Sequence, residues 1–125
     1  MPDPTGLSAA PLFDLDFALR RHGDMEIVRM LLPLCVRSLQ QALGLLDNTV
    51  TAPLARADAL HKLRGGAMEL GLERLVQAAQ AYETACRTDG HDPQIADAHD
   101  LFMPVLKDTL AALQASQLSP GQRTS

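Results

Sequence analysis

The chain has 125 residues, 46% of them hydrophobic and 3% aromatic, with a formal net charge of −4. This length suits one domain with a single modest core; the apolar content excludes a wholly disordered chain, and the acidic balance argues against a nucleic-acid partner. Leu and Ala dominate and Trp is absent, which favours helices packed through aliphatic side chains over a sandwich or barrel.

Residues 1–10 carry Pro, Gly and Ser and read as a flexible N-terminus. Leu12 to Arg21 form a predicted short helix with Phe13, Phe17 and Leu12 as its apolar contacts, closed by Gly23. Its end carries the sequence's only compact basic spot, Arg20, Arg21 and His22. Asp24 is a candidate N-cap for a long second helix to about Leu46, with Ile27, Leu31, Leu34/Cys35, Leu39, Ala42 and Leu46 at helical spacing. Pro33 should kink it or mark its early turns. A turn over 47–51 leads to a third helix from about Ala52 to Glu69, with Thr51 as cap and Pro53 in its first turn. Gly71 separates this from a fourth helix, about Leu72 to Thr88. After the loop "TDGHD", Asp92 caps and Pro93 starts a fifth helix to about Ala115, with Pro104 as a second expected kink. Residues 117–125 read as a flexible polar tail. The result is an all-α domain over residues 11–116, an antiparallel four-helix bundle with a short additional N-terminal helix.

Cys35 and Cys86 lie within helical patterns and form no C-x-x-C pair, so both read as buried thiols of a reducing compartment. No leader-like segment and no apolar run of membrane-spanning length is visible, so a cytoplasmic protein is expected. No heptad run or large extra apolar stripe demands a dimer, and a monomer is expected.

The third helix contains "LHKLRGGAMELG", with two consecutive glycines in its interior. Each costs about 0.5–1 kcal/mol relative to alanine. At about 100° per residue, Leu60, Leu63, Ala67 and Leu70 share one face, the core stripe, and His61 points away from it. The outer face around His61 then holds Leu54, Ala57, Asp58, Arg64, Gly65 and Met68: fairly apolar, low in bulk beside the imidazole, and carrying a cation. Gly65 lies one turn after His61 and lets another molecule approach the ring; Gly66 has no equally clear role.

The fourth helix adds a carboxylate on an apolar face, because Glu83 falls within the stripe of Leu72, Leu75, Val76, Ala79 and Cys86. An inward carboxylate needs a donor. His61 lies ten residues before Gly71 and Glu83 twelve after it. Both therefore stand roughly 15–18 Å from the turn, level with each other on an antiparallel hairpin. Glu83 accepting a hydrogen bond from one ring nitrogen fixes the tautomer and leaves the other nitrogen nucleophilic.

"HKLRGGAMELGLERLVQAAQAYE", residues 61–83, resembles the histidine-containing phosphotransfer (HPt) domain, with weaker agreement from about Phe13 to Ala115. The resemblance implies a four-helix bundle whose exposed histidine relays phosphate between receiver domains. It implies His61 as phosphoacceptor, Arg64 at a position usually held by Lys and stabilising the phosphoryl group, and Glu83 as orienting the ring. It implies a receiver-docking surface of Leu54, Ala57, Asp58, Lys62, Gly65 and Met68, with Asp58 and Lys62 at its rim. Arg for Lys changes the geometry of the cation, and Met68 is bulkier than the residue often found there. The partners implied are the receiver domains of a hybrid sensor histidine kinase and of response regulators, with no nucleic acid and no membrane. No cofactor is expected, Mg²⁺ being supplied by the receiver. The chain lacks a Gly-rich nucleotide loop, a P-loop and any kinase signature, so no ATP-dependent kinase activity of its own is expected.

Two other readings compete. A binding module of the same fold would regulate a kinase or receiver by docking, without accepting phosphate. A metal-binding bundle would draw on His22, His61, His91 and His99, yet the chain has no inward Glu-x-x-His pair and the nearest imitation, Asp58-x-x-His61, points outward.

Overall fold

A computed structural model of the protein describes residues 12–48, 52–88 and 92–124. Five helices follow in chain order: α1 (Leu15–His22), α2 (Met25–Leu46), α3 (Pro53–Glu69), α4 (Glu73–Arg87) and α5 (Asp92–Thr124). The long helices α2 to α5 form the bundle, and no strand occurs among the described residues. The α3–α4 hairpin is the most extensive packing unit, with α5 against α4 and α2 across both α3 and α5.

Local chemistry sets the ends. Asp14 caps α1 by accepting from the Phe17 amide at 3.0 Å, and Asp24 caps α2 by accepting from the Glu26 amide at 2.9 Å. Gly23 closes α1 in the left-handed conformation, φ 74°, its N–H donating to the Leu19 carbonyl at 2.7 Å. At the end of α1, Arg21 pairs with Glu69 and the His22 Nε2–H donates to the Glu69 carbonyl at 2.8 Å. Two members of the basic spot thus pin α1 to the C-terminal end of α3.

The α3–α4 turn is built on Gly71, at φ 70°. The Leu72 amide donates to the Ala67 carbonyl at 3.0 Å and the Gly71 amide to the Met68 carbonyl at 3.4 Å. This double bond pattern around a left-handed glycine is the Schellman closure, and it satisfies carbonyls that the helix end leaves without partners.

The core runs through all five helices. Leu39, Leu46, Leu60, Leu70, Leu72, Leu75, Tyr82, Phe102, Leu106 and Leu113 are fully buried. Each buried aliphatic side chain of this size stabilises by about 1.5–3 kcal/mol relative to its exposed state.

Several expectations need correction. In the first half of α2 the buried residues are Val28, Leu32 and Val36, while Ile27 and Leu34 are exposed and Leu31 and Cys35 half-buried. The register slips by one because apolar residues stand side by side there, Ile27–Val28 and Leu31–Leu32, so periodicity alone does not choose between them. α1 starts three residues later than predicted, at Leu15, because Asp14 caps it. Pro33 and Pro104, where kinks are expected, occupy exposed positions inside α2 and α5, and neither ends its helix. α5 runs past its predicted end at Ala115 to Thr124, along a segment of Ala, Gln, Ser and Leu with no breaker before Pro120. The N-terminal segment 1–10, the Thr51 cap and His91 lie outside the described residues.

Candidate functional site

The site sits on the α3–α4 hairpin. The glycine turn fixes the stagger of the two helices, and this sets His61 on α3 level with Glu83 on α4. The His61 side chain is 63% exposed, whereas Glu83 is 7% exposed as a residue. The His61 Nδ1 lies 3.3 Å from Glu83 Oε2.

Two arginines complete the group. Arg87, one turn after Glu83, donates from Nε to Glu83 Oε2 at 2.9 Å and from Nη2 to Asp58 Oδ1 on α3 at 3.2 Å. Arg64, three residues after His61, brings Nη1 to 3.4 Å from Glu83 Oε1 and Nη2 to 3.4 Å from His61 Nδ1. Burial pushes the Glu83 carboxyl upward in pKa. The hydrogen bond from Arg87 and the electrostatic pull of Arg64, His61 and Arg87 outweigh that, so it is held below the usual carboxylate range. Glu83 Oε1 is nonetheless a buried oxygen with no hydrogen-bond partner among the described residues.

The contacts at Nδ1 decide what His61 can do. Arginine only donates and a carboxylate only accepts, so Nδ1 serves one of them at a time. With the proton on Nδ1 and directed at Glu83, the lone pair falls on Nε2, which makes no hydrogen bond among the described residues. With Arg64 donating to Nδ1, a neutral ring carries its proton on Nε2 and loses that nucleophile. Glu83 at 3.3 Å and Arg64 at 3.4 Å stand almost equally close to Nδ1, and the Arg64 contact is the one with hydrogen-bond geometry; a proton on Nδ1 turned to Glu83 gives the reactive tautomer.

The surface around the ring follows the expected pattern with one correction. Leu54 and Met68 are 65% and 55% exposed, and Asp58, Lys62 and Gly65 are also exposed. Ala57, expected on this surface, is fully buried in the core. It lies three residues before Leu60, on the flank of α3 that the packed neighbours cover. A Cβ added at Gly65 or Gly66 meets nothing within 4 Å, so no contact among the described residues requires either glycine. Gly66 borders an apolar groove of about 190 Å³ between α2 and α3, lined also by Leu31, Leu34, Leu63 and Leu70.

Sequence reasoning missed a second polar cluster. Arg56 is buried, donating from Nη1 to the Tyr82 hydroxyl at 2.6 Å and from Nη2 to the Asn48 carbonyl at 3.1 Å. The same hydroxyl lies 2.8 Å from His99 Nδ1, and the Tyr82 and His99 rings meet edge-on. Arg56 stands four residues before Leu60, in line with the core stripe, and Tyr82 three after Ala79; those positions were the available signal. Arg87 was missed too, although its i+4 spacing from Glu83 on one helix was legible. His22 and His99 are accounted for by the Glu69 carbonyl and Tyr82. No group of three His, Cys, Asp or Glu side chains able to hold a metal occurs among the described residues.

The family model described as Hpt domain matches residues 25–116, most of the chain, a span that takes in α2, α3, α4 and most of α5. No curated protein and no solved structure matches.

Proposed function

The chain belongs to the Hpt domain family, the phosphotransfer modules of two-component signalling, and on that premise we propose that it is a phosphorelay intermediate with His61 as its phosphoacceptor. The observation that carries this reading is an exposed imidazole whose Nδ1 stands 3.3 Å from a buried carboxylate, leaving Nε2 unengaged. Neutral His61, protonated on Nδ1, attacks the phosphorus of an aspartyl phosphate on a receiver domain through the Nε2 lone pair. The N–P bond forms as the P–O bond to the aspartate breaks, and its electron pair leaves on the aspartate carboxylate. The ring becomes cationic, keeps its Nδ1 proton, and is stabilised by Glu83. In the onward step a carboxylate oxygen of the next receiver attacks the phosphorus, and the N–P electron pair returns to Nε2.

Arg64 is the cation within reach of the phosphoryl oxygens and offsets their charge. The receiver domains supply their own acidic residues and Mg²⁺, and the chain spends no ATP. Docking covers the surface of Leu54, Met68 and Gly65, with Asp58 and Lys62 at its edge. No helix among the described residues is long and apolar enough to cross a membrane.

One observation favours the second reading, a module that regulates by docking alone. Arg64 Nη2 also faces His61 Nδ1, at 3.4 Å, and a ring held by that contact is not nucleophilic at Nε2. The stability of the phosphate separates the two readings. Incubation with phosphorylated receiver domains should leave base-stable, acid-labile phosphate on His61. Receiver binding without any such phosphate would establish the docking module instead.

A further inference from the structure

Glu83 is served unevenly. Its Oε2 accepts a well-formed hydrogen bond from Arg87, while Oε1 is buried, unbonded, and faced by Arg64 only at 3.4 Å. Native structures leave few buried polar atoms in this state, and each needs a reason. Were Arg64 simply the structural partner of Glu83, it would close on Oε1 in the two-pronged geometry that guanidinium and carboxylate favour. Arg87 already occupies the other oxygen and is itself braced on α3 through Asp58, three residues before His61. Two cations thus attend one buried carboxylate, and only Arg87 is hydrogen-bonded to it.

We propose that Arg87 is a positioning residue for the His61 reaction: by holding Glu83 Oε2 it keeps the carboxylate in place beneath the ring and frees Arg64 to turn to the phosphoryl group. This rests on the reading of His61 as phosphoacceptor. A phosphoryl group on Nε2 brings new negative charge beside Arg64, and Arg64 follows it. Glu83 would then lose one of its cations while still buried. Arg87, bound from the same helix and braced on Asp58, leaves it paired. Without Arg87 the guanidinium left near Glu83 among the described residues is that of Arg64, which closes on the carboxylate and is withdrawn from the reaction.

The test uses the whole chain with Arg87→Ala, Arg87→Lys, Arg64→Ala and the double variant Arg64→Ala/Arg87→Ala. Phosphoramidate serves as a small phosphodonor that needs no receiver. The rate of His61 phosphorylation should fall on the order of tenfold in Arg87→Ala, as in Arg64→Ala, because both lose the same charge-assisted contact. The double variant should be slower than Arg64→Ala alone by clearly less than the factor that Arg87→Ala costs by itself, because the part that acts through Arg64 cannot be lost twice, and Arg87→Lys should recover most of the rate. Nitrogen-15 spectra of the His61 ring should show the Nδ1–H tautomer in wild type and a loss of that preference in Arg87→Ala, which a merely structural role would not produce. Thermal unfolding of each variant keeps a folding defect distinct from a slower reaction. An Arg87→Ala protein that reacts at the wild-type rate with an unchanged ring spectrum overturns the proposal, as does a fully additive double variant. A wild type that takes no phosphate overturns the phosphoacceptor reading instead, and the ring spectra then decide the placement of Glu83 by Arg87 on their own.

Discussion

Gly71 offers the sharpest test of how the hairpin positions the site. Replacing it with alanine forces an L side chain into φ 70°, which costs about 1–2 kcal/mol. The new Cβ would also lie 2.7 Å from Phe17 Cδ1 and 3.1 Å from Cγ. Moving that ring off its rotamer costs a further ~0.5–1.5 kcal/mol. Alanine restricts the unfolded chain and returns about 0.4–1 kcal/mol of this. The net loss for Gly71→Ala is therefore about 0.5–3 kcal/mol, a fall in Tm of roughly 2–15 °C for a domain of this size. Gly66→Ala is the internal control: its Cβ meets nothing within 4 Å, its φ is helical, and helix propensity predicts a gain of about 0.5–1 kcal/mol. Thermal unfolding followed by circular dichroism measures both. A Gly71→Ala protein as stable as wild type, or a destabilised Gly66→Ala protein, would refute this account of the turn and of the glycines beside His61.

Two further predictions follow from the titrating groups. The folded-state pKa of Glu83 is depressed, so its contribution to stability is present above the ordinary carboxylate value of 4.5 and is lost as pH falls through the lowered value. The stability gap between wild type and Glu83→Gln should narrow in acid below about pH 4.5; a constant gap across the titration contradicts the ion-pair assignment. Cys35 is pushed by burial from 9.0 to about 11. At pH 8 the folded protein should be alkylated there by iodoacetamide on the order of tenfold more slowly than a free thiol, since the smaller thiolate fraction is partly offset by its greater nucleophilicity, and a rate equal to that of a small peptide thiol contradicts the raised value.

The hairpin was the most legible part of the sequence. Its turn is set by one glycine, and counting outward from Gly71 on regular helices placed His61 and Glu83 level. The cost of two interior glycines was also readable, and the absence of any neighbour at either Cβ agrees with it. Periodicity failed where it was degenerate: Ile27–Val28 and Leu31–Leu32 offer two equally apolar stripes, and only packing against α5 and α3 selects the second residue of each pair. It failed again at Ala57, whose small side chain is compatible with either face and is covered by the packed helices. Arg56 escaped notice because a guanidinium on a core stripe is costly unless partnered. Its partners, the Tyr82 hydroxyl and the Asn48 carbonyl, lie 26 and 8 residues away along the chain. The role argued for Arg87 depends on which carboxylate oxygen is bonded, and no spacing rule reports that.

The measurement closest to the central claim is transfer of labelled phosphate from a panel of phosphorylated receiver domains to the intact chain, with His61→Gln beside it. Label should appear on wild type from at least one receiver, survive base, be lost in acid, and be missing from His61→Gln. Binding of those receivers with no label on wild type, or equal label on His61→Gln, would contradict the assignment of His61 as the relay nucleophile.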